Sequence, residues 1–199
     1  MSATKPQVFI IESLKFKDED QDKFEGHRIS QMLALSGKEC RYMYFRTKTE
    51  LEAILDRFWE SRYRYLHLSC HAGRESLDTT LDTISFKELV QILEPYLERR
   101  RLFLSACEMS CRKLADELLP RTQCFSMLGP SAKVDAADAA VFWAAFYHKM
   151  FRINSESMNT RQVLDTATTF SEAFSIPLNL FAQKGSKFEF CRIRPRSNK

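Results

Sequence analysis

"RRRLFLSACEMSCRKLADELLP" (residues 99–120) passes from an apolar run into a helical pattern, and Cys107 stands where the first gives way to the second. The segment "RLFLSA" (101–106) is short, apolar and continuous, as a buried strand is. Leu114, Ala115, Leu118 and Leu119 then recur at helical spacing, and Pro120 marks the expected end of that helix. A strand feeding a helix is the unit from which α/β sheets are built. A cysteine that only filled the core would do as well inside the run. At the seam its side chain meets solvent.

The same alternation extends in both directions. "QVFII" (7–11), "CRYMYF" (40–45), "YLHLS" (65–69) and "CFSML" (124–128) read as further strands, and "KFEFCRI" (187–193) as one at the sheet edge. Between them, 22–36 carries Ile29, Met32 and Leu33 on one helical face with Gly37 at its end. Leu51, Ile54, Leu55, Phe58 and Trp59 mark an amphipathic helix. Ser85 and Glu88 form a capping box ahead of Phe86, Leu89, Val90 and Leu93. Residues 135–151 are apolar nearly all round and predict a largely buried helix, and 159–174 another. The stretches 72–83 and 154–159 are the least regular, and 177–186 is undecided. The pattern predicts one α/β domain over 1–199, a three-layer sandwich whose mostly parallel central sheet of about six strands is covered by helices on both faces.

Composition sets outer limits. At 199 residues, 44% hydrophobic and 28% charged, the chain can bury a sizeable core. Its net charge of +4 is mild, and Arg192, Arg194, Arg196 and Lys199 contribute much of it as a solvated tail. No RNA-binding signature, zinc-finger spacing or basic-aromatic stripe points to nucleic acid. No apolar stretch approaches the ~20 residues that span a bilayer, so neither a nucleic-acid nor a membrane partner is expected. Cysteines stand at 40, 70, 107, 111, 124 and 191, several in strand-like runs, and "MSATKPQVFI" lacks a signal-peptide core. The expectation is a reduced, cytoplasmic protein with free thiols.

Chemistry in open α/β sheets gathers at the carboxyl ends of the strands. His71 follows the third strand and Cys107 the fourth. If these strands are parallel neighbours, about 5 Å apart, the two side chains face each other across one edge. A helix N-terminus would favour the Cys107 thiolate, His71 would take and return the proton, and backbone amides at Ala72, Gly73 and Cys107 would hold an oxyanion. Asp78 and Asp82 either shape a substrate groove or are solvated loop charges. Asp135 and Asp138 bias a helix N-terminus, and Cys111 packs. A zinc site from Cys70, His71, Cys107 and Cys111 is disfavoured, because adjacent residues point to opposite faces. With 5 Gly and no glycine-rich loop, nucleotide binding has little support.

"YLHLSCHAG" (65–73) followed by "RRLFLSACEMS" (100–110) resembles the paired His and Cys motifs of the CHAT family of caspase-like cysteine peptidases. "MLGPSAKVDAADAAVFWAAFYHKMF" (127–151) is similar to that family's segment after its fifth strand, a Gly-Pro turn leading into a helix. The resemblance implies a caspase-like fold and a cysteine endopeptidase in which His71 is the general base and acid, Cys107 the nucleophile and a thioester the intermediate, with no cofactor. Two features depart from it. The chain has Ala72 between His71 and Gly73, and Ser105 stands where true caspases have a groove glutamine, so cleavage after aspartate is not implied. The resemblance further implies a protein substrate, such as a neighbouring pore-forming effector in bacterial defence, and an activating partner protein. A non-catalytic interaction module on the same fold is the alternative. Restraint of such a peptidase is expected from a mobile or blocking loop, 72–83 or 177–186.

Overall fold

Val8, Phe9, Ile10 and Ile11 are all fully buried in β1 (Lys5–Glu12). A run with no exposed face belongs between two helical layers, as parallel strands do. The computed structural model describes residues 4–73, 75–185 and 187–196. In it β1 pairs in parallel with β2 (Cys40–Tyr44) and β3 (Tyr63–Ser69). After β3 come three short strands, β4 (His71–Ala72), β5 (Ser76–Asp78) and β6 (Thr83–Ser85), which form a small antiparallel sheet of their own. The main sheet continues with β7 (Arg101–Ser105), β8 (Ser126–Pro130), β9 (Leu178–Lys184) and β10 (Lys187–Ile193). Its order is β10-β9-β8-β7-β3-β1-β2, parallel from β8 to β2 and antiparallel at β8–β9 and β9–β10.

Two separate apolar clusters show that both faces are covered. On one face α3 (Lys48–Ser61), α4 (Phe86–Leu93) and α5 (Arg112–Thr122) bury Leu55, Phe58, Leu89 and Leu118. On the other, α2 (Glu25–Leu35), α6 (Ala136–Ile153) and α7 (Thr160–Phe174) bury Ile29, Phe142, Trp143 and Val163. The Ser85–Glu88 capping box forms as expected, and Thr47–Glu50 and Asn159–Gln162 make two more. A short helix, α1 (Phe16–Asp20), precedes α2.

The mostly parallel sheet covered on both faces is as expected, and its seventh strand, β9, comes from the undecided 177–186. Its polar Asn179 interrupts the apolar run, and the hairpin to β10 passes through Gly185 at φ 62. Several expectations change. The irregular 72–83 contains strands of two and three residues, too short to show a period. Strand β8 lies two residues later than expected and contains Gly129 and Pro130, so no Gly-Pro turn forms there. Pro120 does not end α5, which runs to Thr122 before Gln123 turns left-handed at φ 50. So near the end, the missing amide removes a single hydrogen bond. Helix α6 is one-sided, with Val141 54% exposed. No helix among the described residues is long and apolar enough to cross a membrane.

Candidate active site

Strands β3 and β7 pair in parallel with Ser69 opposite Ser105. Just beyond, the Cys70 amide donates to the Ser105 carbonyl at 3.2 Å. His71 and Cys107 therefore each stand two residues past a paired serine, on adjoining strands and at the same edge. Both line one pocket of about 220 Å³, with Asp18, Glu25, Ser105 and Asp135. Among the described residues no hydrogen bond joins His71 to Cys107.

Cys107 is half-buried, and its Sγ–H points to the Val134 carbonyl at 3.8 Å. It is not at a helix N-terminus. Helix α5 begins five residues later, with Cys111 in the capping position, so the helix dipole expected to favour the thiolate is displaced from the sulfur. An intervening loop carries Cys107 instead. Met109 and Ser110 are fully buried, and Ser110 and Asn179 exchange side-chain-to-carbonyl hydrogen bonds at 3.0 and 2.6 Å, which latch the loop to β9. Gly129 lets β8 approach: a Cβ there would lie 2.6 Å from the Leu104 carbonyl oxygen and 3.2 Å from Ser110 Cβ. Glu108 adopts φ 57. The amides of Cys107 and Glu108 have no hydrogen-bond partner among the described residues. Burial pushes the Cys40 and Cys124 thiols up, to about 12 and 11, and Cys70 well up, which suits them to packing.

His71 Nε2 lies 2.8 Å from Asp18 Oδ2. Sequence reasoning missed Asp18. It sits in a run of mixed charge, "KFKDED" (15–20), that reads as a solvated surface, and no local pattern ties it to a histidine 53 residues away. The short helix α1 is what delivers it. Glu19 anchors that helix by accepting from Arg46 and Tyr44, and Lys15 reaches Asp78 at 3.3 Å. Partial burial works against ionisation of Asp18, but Lys23 at 3.2 Å and His71 outweigh it and hold the carboxyl below its usual range. With Nε2 so engaged, Nδ1 is the ring nitrogen left without a partner among the described residues.

The other expected site residues divide. The Gly73 amide donates to the Ser76 carbonyl at 2.9 Å and is spent within the small sheet. Ala72 lies opposite Leu77 in the alternate pair, so its amide points away from β5. Asp78 and Asp82 do not reach the pocket: Asp78 binds Lys15 and accepts from Thr83, and Asp82 accepts from the Lys48 amide at 2.7 Å. They fix the small sheet to its surroundings. Asp135 both caps α6, accepting from the Ala137 amide at 2.8 Å, and lines the pocket. None of the described residues of 72–83 or 177–186 lines the pocket: 178–184 form β9, and 72, 76–78 and 83 belong to the small sheet.

Beneath the pocket lies a buried acid. Ser69 Oγ donates to Glu25 Oε2 at 3.2 Å, and Ser105 lines the pocket beside the same carboxyl. Burial raises Glu25 to about 8, with nearby Glu12 adding to the rise. Glu25 Oε1 faces His67 Nε2 at 3.9 Å, while His67 Nδ1 pairs with the Tyr147 hydroxyl at 2.9 Å. Burial holds His67 down, at about 3, so its ring is neutral.

No family model matches the chain, and no curated protein matches it by sequence. Among solved structures, a secreted C11 cysteine protease from Bacteroides thetaiotaomicron, "iotapain", superposes with a TM-score of 0.57 at 12% identity, covering 92% of this chain and 67% of that one. A secreted C11 protease from the same organism, in complex with an irreversible peptide inhibitor, gives 0.57 at 9% identity, covering 89% and 66%. Caspase-1 from Spodoptera frugiperda gives 0.55 at 13% identity, covering 86% and 79%. The chain thus spans about two thirds of the C11 proteases' length. At these identities the likeness establishes the fold, which is caspase-like.

Proposed function

We propose that this protein is a cysteine endopeptidase acting through Cys107 and His71, with residues 1–199 as one peptidase domain. The observation that carries this is the convergence of the two side chains on one pocket at the carboxyl edge of β3 and β7. The similar folds in the C11 proteases and caspase-1 support it. His71 removes the thiol proton through Nδ1, and the sulfur attacks the carbonyl carbon of the scissile peptide. The oxyanion is met by the Cys107 and Glu108 amides, with Ala72 as a further donor. Collapse breaks the C–N bond while His71 returns the proton to the departing amine. Water, deprotonated by His71, then hydrolyses the thioester and frees the thiol.

The substrate is a protein, as the peptide-inhibited neighbour suggests. By the CHAT resemblance, the proposal extends to a cytoplasmic enzyme that activates a pore-forming effector in bacterial defence, itself switched on by a partner protein. Co-expression with a candidate effector, followed by mapping of new chain ends, tests this. Cleavage that persists unchanged in Cys107→Ala would overturn the mechanism. Failure of an electrophilic peptide probe to label Cys107 in a His71-dependent manner would favour the non-catalytic module.

A further inference from the structure

The opposite edge of the sheet holds a second cavity, of about 270 Å³, lined by Arg64, Arg99, Arg101, Phe125 and Asn159. Arg101 opens β7 and Arg64 lies near the start of β3, so the strands that carry Cys107 and His71 at one end carry these guanidinium groups at the other. Arg101 is 6% exposed. It donates to Ser126 Oγ at 2.6 Å and Thr160 Oγ1 at 3.3 Å and lies over the Phe125 ring. Arg64 donates to Thr4 Oγ1, the Thr4 carbonyl and the Glu156 carbonyl at 2.8 to 2.9 Å.

Every one of those acceptors is neutral. Among the described residues, Arg64, Arg99 and Arg101 form no ion pair with a carboxylate. Burial works against the Arg101 charge, and repulsion from Arg64 adds to this. A buried Arg101 without a carboxylate partner is costly, and an anion between it and the more open Arg64 and Arg99 lowers that cost. The other wall is the start of α7, a helix of 15 residues with Asn159 as its cap. The Asn159 side chain takes the Gln162 amide at 2.9 Å, which leaves the Thr160 and Arg161 amides ahead of the first intrahelical bond.

We propose that this cavity binds a phosphate-type dianion, either the free ion or the phosphoryl group of a small molecule. Guanidinium forks match phosphate oxygens two at a time, and a helix start supplies further donors. A buried Arg101 selects for a group small enough to enter the cavity, and a flat polyanion surface cannot reach it.

Calorimetric titration of the full chain at constant ionic strength, with chloride as control, tests the site. Inorganic phosphate, pyrophosphate and adenosine monophosphate serve as probes. Saturable binding at one site is expected. The Arg64→Gln/Arg99→Gln double variant, whose side chains are not deeply buried, should weaken binding about tenfold or more while keeping the wild-type melting temperature in phosphate-free buffer. Arg101→Lys keeps the charge and loses the fork, and should weaken it too. Tighter binding of the nucleotide than of phosphate would identify a carried phosphoryl group, and equal binding the free ion. Absence of saturable binding by all three probes, undiminished affinity in the double variant, or binding confined to a polyanion such as heparin would each overturn the proposal.

Discussion

His71 Nε2 and Asp18 Oδ2 lie 2.8 Å apart, although the residues are 53 positions apart in the chain. Asp18 also accepts from Lys23, and its helix is tied down at Glu19. A carboxylate on Nε2 selects the tautomer with its proton there and leaves Nδ1 to receive the thiol proton.

Asp18→Asn is therefore expected to lower kcat about tenfold with KM unchanged, because the amide can donate to Nε2 and favour the wrong tautomer. The loss is smaller than the ~10⁴ of a buried triad aspartate. The His71 side chain here is 42% exposed, and water can partly replace the carboxylate. Asp18→Glu should recover part of the rate. Steady-state kinetics with an unaltered kcat in Asp18→Asn would show that the pair only anchors α1.

Cys107→Ala and His71→Ala should each reduce peptide cleavage by about a thousandfold or more, and the double variant by no more than either alone, since both act in one proton-coupled attack. Both side chains are only partly buried, so melting temperatures should hardly move. Single-turnover assays beside thermal melts check both halves. Additive losses in the double variant would mean that the two residues act separately.

Gly129→Ala is expected to cost about 1–3 kcal/mol, as overpacking does. Its Cβ would stand 2.6 Å from a backbone oxygen, which cannot rotate away. Because Ser110 lies on the same side, the displacement passes to the Cys107 loop, and activity should fall along with stability. Urea melts and peptidase assays on one preparation measure both. Wild-type stability in Gly129→Ala would show that β8 and β7 have slack.

Stability should respond to pH through Glu25 and His67 in opposite senses. Glu25 titrates near 8 when folded against an ordinary 4.5, so the folded state holds its proton longer and stability declines as pH rises through that interval. His67 titrates near 3 when folded against 6.5, so stability declines as pH falls through that range. The two slopes oppose one another between about 4.5 and 6.5, where the urea midpoint should be greatest. Glu25→Gln should flatten the alkaline limb and leave the acidic one. An alkaline limb equally steep in that variant would assign it to other groups, Glu12 first.

The strands and helices that bury a continuous face were legible from residue order. Val8 to Ile11, Leu102 to Leu104, and the Leu51–Phe58 face are apolar at the spacing of their elements, and local patterning determines such pieces. The same patterning put His71 and Cys107 at strand ends, where parallel pairing brings them to one edge. The sequence by itself thus determined an α/β sheet and nominated the two side chains. It did not determine what surrounds them. Asp18 reaches His71, Asn179 latches Ser110, and Arg64 joins Arg101 across 53, 69 and 37 residues of chain respectively. Such polar contacts have no period to leave in the sequence, because each depends on where two distant backbones cross. For the same reason Asp78 and Asp82, close to His71 in sequence, turn out to serve the small sheet instead. Only the tertiary structure decided these partners, through strand order and the close approach of β8 to β7 at Gly129.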